Sequence, residues 1–151
     1  MTATQRLAEL GIELPAVVAP LAAYVPAVRT GNLVYTSGQL PMIDGKLPQS
    51  GKVGAEVTAE EAKGLARTCA LNALAAVHSL VGVDSVVRVV KVVGFVASAP
   101  GFNGQPGVVN GASELFGDVF GDAGVHARSA VGVSELPLNA PVEVELIVEV
   151  A

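Results

Sequence analysis

TAEEAKGLARTCALNALAAVHSLVGVDSVVRVVKVVGFVA, residues 58–97, decides the fold. Its first half is a helix by every local sign. Thr58-Ala-Glu-Glu61 matches a capping box, with Thr58 as N-cap and Glu61 three residues inside. Ala62, Leu65, Ala66, Cys69, Ala73, Ala76, Val77 and Leu80 then recur at helical spacing and make one apolar face. Gly82 stands where a helix C-terminus favours glycine. A helix of about 24 residues can cross a whole sheet. The second half, Val86–Ala97, is valine-rich at both parities, with Val87, Val89, Val93 and Phe95 assigned to one side. A strand apolar on both faces is buried on both faces. One face packs on the helix; the other needs a second cover, which a neighbouring subunit can supply.

Outward from this unit the pattern continues. Thr4–Leu10 can form a short helix ended by Gly11. Pro15, Pro20 and Pro26 punctuate an extended stretch, and Asn32–Ser37 is a β-rich run closed by Gly38. Asp44-Gly45 suits a hairpin turn within a Gly- and Pro-rich loop. Downstream of a loop over Pro100–Gly107, Val108–Gly121 reads as a second helix, weakened by Gly111 and Gly117 at about 1 kcal/mol each. Ala127–Val133 is a strand, Leu136–Pro141 a turn, and Val142–Val150 a last strand with alternating apolar and polar residues. Strands and helices in this order predict one α/β (α+β) domain spanning residues 1–151, with 1–14 as an N-terminal extension. The expected architecture is two layers, a mixed sheet with two helices on one face. A symmetrical hairpin about Leu138–Asn139 would set Arg128 opposite Glu149.

Composition narrows the partners. The chain is 51% hydrophobic and only 15% charged, so its surplus apolar surface points to an oligomer. Asp84, Ser85, Arg88 and Lys91 interrupt Val83–Ala99, which excludes it as a membrane span. A net charge of −5 with scattered basic residues disfavours nucleic acid as a partner. Cys69 is the only cysteine, so no internal disulfide can form. Met1–Leu10 lacks the apolar core of a signal peptide, which points to the cytoplasm.

Several residues could carry chemistry. Arg128 opens an apolar strand and offers a fork of donors for a carboxylate; an ion pair with Glu143, Glu145 or Glu149 is the commoner use of such an arginine. Ser37 and Gly38 follow a strand, where Ser37 can donate to a carboxylate or a water and a glycine lets a ligand approach the backbone; an ordinary strand-to-turn junction reads the same way. Tyr24 can wall a pocket or simply pack. Asn110 can cap the second helix or point at a ligand. Glu143 can act as a general base for water if partly buried, or lie on a solvated strand face beside Glu145 and Glu149. His78 and His126 are too far apart to make a zinc signature, no phosphate loop is present, and Cys69 on the apolar helix face reads as an inert thiol. Neither a metal nor a cofactor is called for.

Ala23-Tyr24-Val25-Pro26, Leu33-Val34-Tyr35-Thr36-Ser37-Gly38-Gln39, Val109-Asn110, Ala127-Arg128-Ser129, Leu136-Pro137 and Val142-Glu143-Val144-Glu145 together resemble the RidA/YjgF family of reactive intermediate deaminases, also labelled L-PSP endoribonucleases. The resemblance implies a chorismate-mutase-like fold and a homotrimer with clefts between subunits. It implies cofactor-free hydrolysis of enamines and imines, such as 2-aminoacrylate, to 2-oxo acids and ammonia. By that likeness Arg128 clamps the substrate carboxylate, Glu143 positions or activates water, and Ser37 and Gly38 line the cleft. Tyr24 and Asn110 enclose the ligand, and Ala130 stands where the family often has cysteine. The sequence departs from the family in its longer N-terminus, its enlarged loops near Gly45–Val57 and Ala99–Gly107, and His126 at a position where proline is frequent. A non-catalytic trimer binding a 2-oxo acid is the alternative function; a ribonuclease or translation inhibitor fits the acidic charge less well.

Overall fold

The computed structural model describes residues 1–20 and 22–151. Helix α2, Ala59–Val81, starts and stops where its caps dictate. The Thr58 side chain accepts from the Glu61 backbone, the Glu61 side chain accepts from the Thr58 N–H, and Gly82 closes the helix. Its apolar stripe is the spine of the core: Ala62, Leu65, Ala66, Cys69, Ala73 and Val77 are all buried. By length and composition α2 could cross a bilayer, but here that apolar stripe packs inside the domain. Helix α3, Gln105–Phe120, lies beside it and buries Val108, Val109, Ala112, Leu115, Phe116 and Val119. It begins three residues earlier than the apolar pattern alone indicates, because Pro106 fits the first turn, where no N–H partner is needed. A third helix, α1, Ala3–Glu9, is held by its own capping box at Thr2 and plants Leu7 in the core. The described residues thus hold three α-helices: the sheet-covering pair and the short N-terminal helix expected over Thr4–Leu10.

The sheet has five strands: β1 Ala27–Thr30, β2 Leu33–Thr36, β3 Val86–Ala97, β4 Ala127–Val133 and β5 Val142–Val150. Their spatial order is β1-β2-β5-β3-β4. All neighbours are antiparallel except β3 and β4, which run parallel. Strands β4 and β5 are consecutive in sequence but do not pair; β3 lies between them. The expected hairpin is thus corrected: Arg128 sits opposite Val92, not Glu149. Residues 134–141 carry the chain across the end of β3, where the Ala97 N–H donates to the Pro141 carbonyl.

The alternation in β5 is clean. Val142, Val144, Leu146, Val148 and Val150 face the helices, and Glu143, Glu145, Ile147 and Glu149 face away. In β3 the register against β5 slips twice, at Val87 and at Val90. Val89 pairs with Val148 and Lys91 with Ile147, so Val90 is an extra residue in a bulge. Val89 therefore joins Val92 and Val96 on the buried side, while Val93 and Phe95 lie on the other and Val87, the extra residue of the first slip, is exposed. That second face has no helix on it. At the Asp44-Gly45 turn both residues take positive φ, 51° and 78°, and Ile43 bridges Lys46, as a two-residue hairpin requires.

Candidate functional site

Arg128 projects from edge strand β4 toward α3. Its Nη1 donates to Asn110 Oδ1 at 2.7 Å and to Ser113 Oγ at 3.3 Å. Asn110 and Ser113 are one helical turn apart, so they share a face of α3 and meet the same guanidinium nitrogen. Arg128 forms no salt bridge with Glu143, Glu145 or Glu149. Its Nε and Nη2 make no hydrogen bond among the described residues. The guanidinium is thus held at one end and leaves donors for an anion at the other. Asn110 lies within α3 rather than at its cap, which is Gly104. Ala130 is two residues beyond Arg128 on the same face and packs partly against the core.

Ser113 and His126 do not stand out in the sequence as site residues. Ser113 Oγ lies 2.8 Å from His126 Nε2, and His126 Nδ1 lies 2.6 Å from the Gly124 carbonyl. The only signal for them is spacing: Ser113 follows Asn110 by one turn, and His126 precedes Arg128 by two residues, which is one face of an extended chain. The histidine ring also stands edge-on to buried Phe116, with centroids 6.0 Å apart and an 87° interplanar angle.

A second group gathers where β2 ends beside β5. Tyr24, Gly38 and Gln39 line a recess with Val18, Ala19, Pro20, Pro26, Leu40 and Met42. Tyr24 is 46% exposed. Ser37 Oγ donates to the Val25 carbonyl at 2.6 Å, and the Ser37 N–H donates to the Pro26 carbonyl. The hydroxyl hydrogen is therefore engaged, and toward a ligand Ser37 acts as an acceptor rather than the donor expected from sequence. Gly38 is pressed against Glu143: a Cβ there would lie 2.8 Å from the Glu143 carboxyl carbon. Burial, and secondarily the negative charge of Glu145, raise the Glu143 pKa above the ordinary 4.5. Glu143 thus holds a proton more readily than a solvated glutamate does.

That shift has a consequence for stability. A carboxyl whose pKa is raised by folding contributes most when protonated, below its unfolded value, and loses that contribution as pH rises through the folded value. Glu143→Gln is therefore expected to raise the melting temperature at pH 7, with the gain vanishing below about pH 4, where the unfolded carboxylate also protonates. Thermal melts of both proteins from pH 4 to 8 check this; a gain independent of pH would contradict it.

The two groups do not meet within one chain. Arg128 lies level with Val92 and Glu143 level with Phe95, three residues further along β3. That is roughly 10 Å along the strands and roughly 10 Å across them. The odd offset also puts the two side chains on opposite faces. Arg128, Asn110 and Ala130 form one group; Tyr24, Ser37, Gly38 and Glu143 form another.

Comparison with known proteins identifies the family. The family described as "YjgF/chorismate mutase-like, putative endoribonuclease" matches residues 4–150. Protein TCP17 of Trypanosoma cruzi is 46% identical over 145 residues, covering 95% of this chain and 91% of its own. A 2-iminobutanoate/2-iminopropanoate deaminase of Dermatophagoides farinae is 35% identical over 140 residues, covering 91% and 93%. The crystal structure of Atu1372, a protein of unknown function from Agrobacterium tumefaciens, superposes with a TM-score of 0.90 at 47% identity, covering 99% of this chain and 92% of that one. With the match spanning nearly the whole domain, the chain belongs to the YjgF/RidA family.

Proposed function

We propose that this protein hydrolyses small carboxylate-bearing imines and enamines to 2-oxo acids and ammonia, without a cofactor, in a cleft completed by a second copy of the chain in a homotrimer. The observation that carries the reading is the half-held guanidinium of Arg128, oriented by Asn110 and Ser113 and carrying unbonded donors. A planar fork of this kind recognises a carboxylate with two parallel hydrogen bonds. The name of the Dermatophagoides relative supports the substrate class.

The chemistry asks little of the protein. In a 2-iminium acid the carbon is already electrophilic. Water attacks it and the C=N π electrons move to nitrogen. The resulting amino alcohol expels ammonia as the hydroxyl oxygen reforms a carbonyl. One proton passes from the attacking water to the departing nitrogen, and the hydroxyl gives up its remaining proton as the carbonyl forms, so the products are the 2-oxo acid and ammonium. Glu143, with its raised pKa, suits both transfers, taking the proton from water and returning it to nitrogen. Ser37 Oγ, its hydrogen committed to Val25, can accept from the iminium N–H. Arg128 supplies orientation, which converts a bimolecular attack into one within a bound complex. Because Arg128 and Glu143 lie on opposite faces of one sheet, the reading requires them to come from two chains. The uncovered sheet face, with Val93, Phe95, Val131 and Ile147, is the surface assigned to that assembly.

The test is direct. Imino acids are generated in situ by an amino-acid oxidase, and 2-oxo acid release is followed with and without this protein. Acceleration is the expected result. Absence of acceleration across several side-chain lengths overturns the hydrolase; binding of 2-oxo acids without acceleration would mark a non-catalytic binder.

A further inference from the structure

We propose that His126 is a positioning residue for Arg128, acting through Ser113; the functional consequence rests on the reading of Arg128 as the carboxylate clamp. The direction of each hydrogen bond follows from its fixed end. A backbone carbonyl only accepts, so His126 Nδ1, 2.6 Å from the Gly124 oxygen, carries the hydrogen. In the neutral ring Nε2 is then an acceptor, and the Ser113 hydroxyl at 2.8 Å donates to it. With its hydrogen committed to His126, Ser113 turns a lone pair to Arg128 Nη1 at 3.3 Å. Asn110 Oδ1 takes the other hydrogen of the same nitrogen.

The anchor of this relay is rigid. Gly124 is buried against the α3 backbone so closely that a Cβ would lie 2.2 Å from the Phe116 carbonyl oxygen. The ring is fixed again by its edge-on contact with Phe116. Asn110, Ser113 and Phe116 fall three residues apart along α3, so one helical stripe holds the amide, the hydroxyl and the aromatic ring that the relay uses. Without an acceptor at Nε2 the Ser113 hydroxyl would turn to a carbonyl of its own helix, as serine does in helix interiors. The guanidinium would then lose one of its two constraints and would have to be ordered by the ligand itself. The expected weakening is about 3- to 10-fold in affinity, the usual cost of immobilising one flexible side chain.

The experiment compares wild type with His126→Phe, His126→Gln and Ser113→Ala. The phenylalanine keeps the packing on Phe116 and removes the acceptor; the glutamine carbonyl can take the place of Nε2. Nitrogen-15 spectra of the imidazole should show the Nδ1–H tautomer, and the Arg128 Nη1 hydrogens should exchange slowly. Titration with 2-oxobutanoate and imine-hydrolysis kinetics should show Kd and KM raised about 3- to 10-fold in His126→Phe and Ser113→Ala. The turnover number should stay within about twofold, since the relay affects binding and not the reacting atoms. His126→Gln should recover the wild-type KM. An Nε2–H tautomer, or unchanged Kd and KM in both His126→Phe and Ser113→Ala, would overturn the proposal. If His126→Phe fails to fold, Ser113→Ala and the tautomer decide alone. If wild type neither binds 2-oxobutanoate nor hydrolyses imines, the proposed function fails; the relay then stands or falls on the tautomer and on loss of Arg128 hydrogen protection in Ser113→Ala.

Discussion

Arg128→Ala is expected to lower kcat/KM for a carboxylate-bearing imine by roughly 30- to 1,000-fold, about 2–4 kcal/mol, while the fold persists. The reason lies in where its donors go. Nη1 is spent on Asn110 and Ser113, and no carboxylate among the described residues forms a salt bridge with the guanidinium. The free donors therefore serve whatever anion enters. Removing them deletes charge-assisted hydrogen bonds to ligand and costs the protein itself only about 1 kcal/mol, since the two polar partners on α3 are only partly buried and within reach of water. Arg128→Lys should recover part of the loss, because an ammonium keeps the charge but not the planar fork. The measurement is steady-state kinetics beside a thermal melt. Full activity in Arg128→Ala would remove the site.

Gly111→Ala is expected to destabilise the protein by about 3 kcal/mol, a fall in melting temperature of roughly 6–12 °C. Helix propensity alone predicts the opposite sign, a gain of about 1 kcal/mol. The structure decides between them. Gly111 is where α3 touches α2, and a Cβ would lie 2.0 Å from the Lys63 backbone oxygen. Backbone cannot rotate away as a side chain can, so the helices must separate. Separation would loosen Val108, Ala112 and Leu115 from the core and shift Asn110 and Ser113 relative to Arg128, so activity should fall as well. Gly117 provides the contrast. It sits on the same helix, and a Cβ added there would meet nothing within 4 Å. Gly117→Ala should therefore stabilise by about 0.5–1 kcal/mol. Equal shifts of the same sign in the two variants would refute the close-contact account.

These glycines show what sequence can and cannot tell. The strands Val86–Ala97, Ala127–Val133 and Val142–Val150 and the caps of α2 follow from local pattern, because each is set by residues within a few positions of one another. Strand neighbours are not set locally. An eight-residue connection, 134–141, is long enough to pass one strand, and nothing in β4 or β5 says that β3 fills the gap. The bulge at Val90 likewise inverts the facing of Val89 without any mark in a run of valines. Gly111 reads as a helix defect until the packing of two helices is known. At the site, the family likeness names Arg128 and Asn110 together, and the structure joins them. Ser113 and His126 escape notice because a serine in a helix and a lone histidine have many ordinary uses. That Arg128 and Glu143 point to opposite faces depends on the strand register, which no local pattern carries.

Subunit complementation tests the central claim, a cleft built from Arg128 of one chain and Glu143 of another. Arg128→Ala and Glu143→Ala are purified separately, confirmed to have lost imine hydrolysis, then unfolded together and refolded as a mixture. In random trimers about one cleft in four receives both wild-type side chains. The account predicts recovery of roughly a quarter of wild-type activity in the mixture and none when each variant is refolded alone. A mixture that remains as inactive as its components would contradict it.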